Sequence, residues 1–345
     1  MLFKAILVGY GKIGQDLSSL IQEKSSELRE KYALEVKIVG ALDSSGGVVA
    51  PLGLDAVALN QVKRKTGRLC DFPRLGRIGL SVREAIEETD ESNLLIEMTP
   101  TNFKNGQPGI SNILTAIENN LNVVTTNKGA LALAFPLLKK AADKAGVSIK
   151  YSGAAANPLP PTELETYSSL GVRITEVEAV VNACTNFILA RMQQGVTKID
   201  AIAEANSLGL LESNPSVDLD GWDTACKLVI TANMLLNANV TLTEVEKITA
   251  LSHIDMTDAK MANENNQVLK HRGMLDASGQ KLRIISDVKS YPRSHMFSHL
   301  RGPAKAMKIK TRNAGSFDYM SEQTGSLPSA RAVLHDLLYL RDQTR

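Results

Sequence analysis

The chain has 345 residues, 43% of them hydrophobic and 22% charged, the proportions of an ordinary globular protein of about two domains. A formal net charge of +2 argues against a nucleic-acid or anionic-membrane partner, and no stretch approaches the roughly 20 apolar residues of a membrane helix. Cys70, Cys184 and Cys226 are too widely spaced for a C-x-x-C pair and do not suggest a disulfide framework, so a reducing, cytoplasmic setting is expected.

Ala5 to Val8 is a short apolar run that reads as a parallel strand buried on both faces, without the length or cleavage site of a secretory signal. Gly9-Tyr10-Gly11-Lys12-Ile13-Gly14 follows at once, and a helix is expected from Gln15 to Lys31. A G-x-G-x-x-G run is weak evidence alone; between a strand and a helix it reads as a dinucleotide loop. Gly9 permits the turn, Gly11 lets backbone approach a pyrophosphate, and Gly14 lets the helix pack closely, while Lys12 and Ile13 open the helix whose N–H groups face the anion. The second strand, Val36 to Leu42, ends in Asp43-Ser44-Ser45-Gly46. An acid there holds adenosine ribose hydroxyls and repels a 2′-phosphate, which favours NAD over NADP; the plainer reading of Asp43 is a turn cap. Lys63-Arg64-Lys65 reads as a solvated face, although Lys63 and Arg64 are within reach of a 2′-phosphate and soften that preference.

A strand from Asn93 to Glu97 runs into Met98-Thr99-Pro100-Thr101-Asn102. Helix Gly109 to Asn119, strand Asn122 to Thr126, the helix opened by Asn127-Lys128-Gly129, and strand Val147 to Tyr151 complete the first half. This alternation predicts an α/β fold, a Rossmann-type doubly wound parallel sheet with its ligand at the carboxyl ends of the strands, where Met98, Thr99, Asn102, Thr126, Asn127 and Lys128 fall. The Pro-rich, small-residue stretch 152–161 marks a crossing into a second, α+β domain. There a helix Thr162 to Leu170, a strand Arg173 to Val181 and a helix Lys198 to Leu208 are expected. A further helix carries Asp223 and Lys227 one turn apart on one face; alone, such a spacing is often a surface ion pair. His295 and His299 are also four apart, but with no glutamate between them and no cysteine nearby they do not suggest a metal site.

Taken together these residues resemble homoserine dehydrogenases. The resemblance runs from the first strand to the last helix and rests on several polar motifs at fixed spacing. They are Thr99-Pro100-Thr101-Asn102, Thr126-Asn127-Lys128-Gly129, Asn182 with Thr185-Asn186-Phe187-Ile188-Leu189 to Met192, and the acidic motif of Glu212, Pro215, Asp218, Gly221, Asp223 and Lys227. It implies oxidation of homoserine to aspartate semialdehyde with NAD or NADP, or the reverse. Lys227 is then the first candidate for the proton relay, given partial burial and a neighbouring cation, and Lys128 the second. Glu212, Asp218, Asp223, Asn182 and Thr185 would bind the substrate, whose cationic amine suits an acidic pocket.

The resemblance also implies a homodimer built through the second domain and, with the chain ending at Arg345, no regulatory module. The expected domains are 1–155, 156–310, and a segment 311–345 returning to the first domain, with Gly325 closing on the nicotinamide half. Departures cluster near the substrate. Asn182-Ala183-Cys184 replaces the family's N-G-T, Leu210 stands where an aromatic is usual, and Lys305 replaces an asparagine. Ser152 and Pro158 replace a glutamate and a glycine at the family's cation site, and Ser321 to Gly325 keep one glycine of G-P-G-A-G. Three alternatives remain: a relative acting on another small hydroxy compound, a non-catalytic NAD(P)-binding protein, and a semialdehyde dehydrogenase using Cys184 as nucleophile.

Overall fold

The computed structural model describes residues 1–89, 91–155, 171–211, 215–323 and 325–343. The chain divides into two compact units, 1–157 together with 325–345, and 158–324.

In the first unit, β1 (Leu2–Val8) lies between β2 (Glu35–Asp43) and β5 (Leu94–Glu97), and β6 (Asn122–Thr125) and β7 (Ile149–Lys150) extend the sheet in parallel. Both faces of β1 are buried, as its unbroken apolar run demands. Phe3, Ala5 and Leu7 pack in one cluster with Leu17 and Ile21 of α1 (Lys12–Glu23) and with Val333, Leu337 and Leu340 of the last helix, α12 (Leu327–Gln343). Ile6 and Val8 pack in the other, with Ile113 and Ile117 of α5 (Gly109–Glu118) and Leu138 of α6 (Lys128–Ala145). Thus the C-terminal helix belongs to the first unit. Asp336 in it is fully buried and receives hydrogen bonds from the Ser152 backbone N–H (3.0 Å) and hydroxyl.

The helix expected from Gln15 to Lys31 is two. It breaks at Lys24, and α2 (Ser25–Tyr32) turns Leu28 into the same core as Leu34. The edge of the sheet also differs from a fully parallel one. Asp43 to Gly46 turns the chain into antiparallel β3 (Gly46–Val49), which pairs with β4 (Gly76–Ile78), giving the order β4-β3-β2-β1-β5-β6-β7. Helices α3 (Ala56–Thr66) and α4 (Val82–Glu87) complete the unit.

The second unit is a six-stranded sheet in the order β13-β12-β8-β10-β11-β9. Its centre is β8 (Ile174–Val180) and the long hairpin β10 (Gln267–Asp276) and β11 (Arg283–Pro292), with β9 (Lys247–Ile248) at one edge. Helices α7 (Ala183–Gln193), α10 (Trp222–Leu236) and α11 (Met256–Glu264) pack on β10, and α8 (Lys198–Ser207) packs on α7. Gly273 lets α10 approach closely: a Cβ there would stand 2.6 Å from Leu228. Residues 311–321 were expected to return to the first domain. Instead β12 (Lys305–Thr311) and β13 (Ser316–Ser321) form a hairpin in continuous register, Lys305 opposite Ser321 through Lys310 opposite Ser316, so the return begins after it. The expected helix Thr162 to Leu170 and Pro158 lie outside the described residues.

Candidate active site

The first unit gathers its functional side chains at the carboxyl ends of β1, β2, β5 and β6, where a doubly wound sheet binds ligand. Gly9 (φ +87°) makes the turn after β1, and any Cβ on it would stand 2.4 Å from the Met98 carbonyl carbon and the Thr99 nitrogen. Gly11 is exposed and has open space where a Cβ would be, so its backbone is approachable. A Cβ on Gly14 would stand 3.3 Å from the Gly9 carbonyl oxygen, which keeps α1 close beneath the loop. Among the described residues no side chain caps α1 and no acid lies in its first turn, so the positive end of the helix is left for an anion. This backbone cradle fits a pyrophosphate. Exposed Lys12 pairs with Asp16 (2.7 Å), which also accepts from Ser326, the residue after the exposed Gly325.

Asp43 stands at the tip of β2 as expected, but its carboxylate is already engaged. Oδ1 accepts from the Ser45 N–H (2.8 Å) and hydroxyl (2.5 Å); Oδ2 accepts from the Leu69 N–H (3.0 Å) and the Lys63 ammonium (2.5 Å). Burial alone would raise its pKa; these donors outweigh burial and hold it below the ordinary carboxylate range. Lys63 is therefore not on a solvated face: its side chain is 17% exposed and folds onto Asp43. Ser44 is exposed beside them.

At β5 and β6 the organising group is one the sequence reading passed over. Glu97, the last residue of β5, is fully buried. It receives hydrogen bonds from the Thr99 N–H (2.8 Å) and hydroxyl, from Asn112 (2.8 Å) and from Asn127 (3.5 Å). Asn127 also donates to the Thr99 hydroxyl (3.0 Å) and caps α6 by accepting from Ala130 N–H (3.1 Å). Half-buried Thr126 donates its N–H to the Glu97 carbonyl (2.9 Å), and half-buried Lys128 opens α6. The Asn102 carbonyl lies so close to Gly129 that a Cβ there would stand 2.5 Å from it.

In the second unit Asn182 caps α7, its Oδ1 accepting from the Thr185 N–H (2.9 Å) and hydroxyl (3.1 Å). Its Nδ2 spans two acids, donating to Asp218 (2.7 Å) in α9 (Pro215–Leu219) and to Asp223 (3.0 Å) in α10. Lys227 donates to Asp223 (2.6 Å) and to the Val181 carbonyl (2.9 Å). This is no surface pair: the Lys227 and Asp223 side chains are 13% and 4% exposed. The partners that reach the ammonium are a carboxylate and a carbonyl rather than the cation expected beside it. Fully buried Thr185 turns its hydroxyl onto Asn182, and Glu212 lies outside the described residues.

Cys184 is buried beside this cluster. Burial first, and then the charges of Asp218 and Asp223, push its thiol up to about 12, so it is a packed thiol and not an activated nucleophile. His271, unremarkable in the sequence, braces the cluster from below. Its Nδ1 lies 3.2 Å from the Thr224 hydroxyl and its Nε2 3.4 Å from the Ser286 hydroxyl, which donates to the Gly221 carbonyl (3.2 Å) at the start of α10. Asn186 pairs with both the N–H and the carbonyl of His271 (3.1 Å each). Only the tertiary fold brings these residues together; their spacing carries no signal. His295 stacks on Tyr291 (4.6 Å between centroids) and accepts from the Phe297 N–H (3.2 Å).

A nucleotide cradle at the strand ends of one unit, and a buried acid–amide–lysine cluster in the other, define a dinucleotide-dependent dehydrogenase of a small polar substrate. The homoserine dehydrogenase family profile matches residues 161–338. A homoserine dehydrogenase of Methanocaldococcus jannaschii is 30% identical over 341 residues, 99% of each chain. An NAD(+)-dependent homoserine dehydrogenase of Pseudomonas canavaninivorans is 29% identical, covering 98% of this chain and 96% of its own. A crystal structure assigned to homoserine dehydrogenase from Archaeoglobus fulgidus superposes with a TM-score of 0.84 at 28% identity, covering 98% of this chain and 99% of its own. The chain belongs to the homoserine dehydrogenase family.

Proposed function

We propose that the chain interconverts L-homoserine and L-aspartate 4-semialdehyde, using NAD or NADP, with Lys227 moving the hydroxyl proton. The observation that carries the assignment of roles is the hydrogen-bonded cluster of Asn182, Asp218 and Asp223, all buried, with the largely covered Lys227, in a chain of this family. When bound, the dinucleotide accepts or supplies the hydride. The chain's own residues do the rest. Gly9, Gly11 and Gly14 with the first turn of α1 hold the pyrophosphate. Asp43 with Ser44 and Lys63 meets the adenosine ribose. Met98, Thr99, Asn102, Thr126 and Asn127 shape the nicotinamide end, with Gly325 closing on it.

Asp218 and Asp223, with Glu212, provide the negative charge that an α-ammonium seeks, and Asn182 keeps the two buried carboxylates apart and in register. Oxidation removes a hydride from the carbinol carbon and a proton from its hydroxyl; Lys227 accepts that proton and Lys128 polarises the carbonyl being formed. The test is initial rates for purified protein with L-homoserine against short hydroxy acids and alcohols, each with NAD and NADP. Turnover of another alcohol but not of homoserine overturns the substrate, and dinucleotide binding without turnover of any alcohol overturns the enzyme.

The assembly proposed is a homodimer through the second unit. What supports it is the resemblance of the chain to its family, in which the second domain builds the dimer. Sedimentation velocity at micromolar concentration checks it. Among the described residues no helix is long and apolar enough to cross a membrane, and the wide spacing of Cys70, Cys184 and Cys226 suits the cytoplasmic setting proposed here.

A further inference from the structure

We infer that Glu97 is a positioning residue for the dinucleotide: its carboxylate locks the loop after β5 to the turn after β6. The inference rests on the dinucleotide reading above and adds a residue that no motif of the sequence singled out.

The two loops have separate origins in the chain. Thr99 follows β5, Asn127 follows β6, and Asn112 lies in α5 between them. All three donate to one side chain. Oε1 takes the Thr99 N–H, the Thr99 hydroxyl and the Asn127 amide; Oε2 takes the Asn112 amide. The Thr99 N–H and the two amide contacts require an acceptor, and a carboxylate is the side chain that offers acceptors at both ends. Glutamine has the same shape but presents an NH2 group toward one of those donors.

The acid is also costly to place there. Glu97 has no exposed surface, and burial raises its pKa even though all four donors pull it down. A fold that needed only packing at this strand tip would be better served by an apolar side chain. The surroundings are tight. A Cβ at Gly109 would stand 2.6 Å from the Asn127 amide nitrogen, and one at Gly129 would stand 2.5 Å from the Asn102 carbonyl oxygen. With the loops this closely fitted, a change at Glu97 moves Thr99 and the Asn127 cap together.

The test compares the wild-type protein with Glu97→Gln and Asn112→Leu, the second removing a donor that lies in neither loop. Dinucleotide affinity is read directly from the fluorescence of NADH and NADPH, and KM for homoserine is read at saturating dinucleotide. Glu97→Gln should weaken dinucleotide binding at least about tenfold and Asn112→Leu about threefold, with homoserine KM within about twofold of wild type. Wild-type dinucleotide affinity in a folded Glu97→Gln protein overturns the inference. So does a loss shared equally between dinucleotide and homoserine. If Glu97→Gln does not fold, wild-type affinity in Asn112→Leu overturns it alone. Failure of the wild-type protein to bind either dinucleotide would instead overturn the dinucleotide reading.

Discussion

The Lys63 ammonium lies 2.5 Å from the Asp43 carboxylate, at the tip of the strand where the adenosine ribose is expected. The two residues are 20 apart in sequence, and their side chains are 17% and 7% exposed. An acid at this position on its own would repel a 2′-phosphate. Paired with a lysine it offers a nearly neutral edge, and the lysine is the partner a phosphate prefers.

The expected outcome for Lys63→Met follows from that pairing. Asp43 regains an uncompensated charge, held in place by Ser45 and the Leu69 N–H. The value of kcat/KM with NADP should fall about tenfold or more, while that with NAD changes less than about threefold. Measured rates in which both dinucleotides lose equally would assign Lys63 to packing of α3 and not to cofactor choice.

Lys227 is reached by Asp223 and the Val181 carbonyl. Replacing it by methionine keeps much of the stem and removes the proton carrier. We expect kcat to fall by about 10²–10⁴ with dinucleotide affinity unchanged, the range for loss of a general acid–base group. Presteady-state measurement of NADH formation, with dinucleotide affinity measured in parallel, checks both halves of that statement.

The neighbouring amide tests the cluster from the other side. Asn182→Ala removes the cap of α7 and leaves Asp218 and Asp223 without the amide that spans them. Loss of a cap and of buried hydrogen bonds should cost about 1–3 kcal/mol of stability and raise homoserine KM, as thermal unfolding and steady-state rates would report.

The glycine loop was legible because all its requirements are local: a strand, three glycines and a helix start within a dozen residues. The same holds for Asn127, whose cap spans three positions, and for Asp223 and Lys227, one helical turn apart. What escaped depended on distance in the chain. β3 is four residues long and becomes a strand by pairing with β2 on one side and β4 on the other. Lys63 looked solvated because its partner precedes it by 20 residues, and Glu97 looked like an ordinary strand tip because Asn112 and Asn127 reach it from later elements. The break of the first helix at Lys24 is set by where Leu28 must pack. Lone His271 carried no signal, since Thr224 lies 47 residues before it and Ser286 15 after.

Cys184 discriminates this chemistry from that of an acylating aldehyde dehydrogenase. With its thiol pushed up to about 12, almost none is thiolate at neutral pH. Native protein at pH 8 should leave Cys184 unmodified by iodoacetamide over a period in which unfolded protein reacts fully. Cys184→Ala should keep the activity, and peptide mass mapping reads the first outcome directly.

His271 sets the behaviour in acid. Burial lowers its pKa from 6.5 to about 4, against the smaller opposing pull of Asp287 and Asp223, so the folded ring is neutral through the physiological range. The unfolded chain takes up a proton near pH 6.5 and the folded one only near 4. Between those limits the unfolded state binds more protons, and stability falls as pH falls. At pH 5 the deficit from this ring alone is about 2 kcal/mol, and it levels off below pH 4. His271→Gln lacks the titration. Urea unfolding at pH 7.5 and at pH 5 should therefore show a smaller loss in the variant than in the wild type, whatever the variant's own starting stability. Equal losses would mean that the folded ring titrates no differently from the unfolded one, and that burial does not hold it neutral.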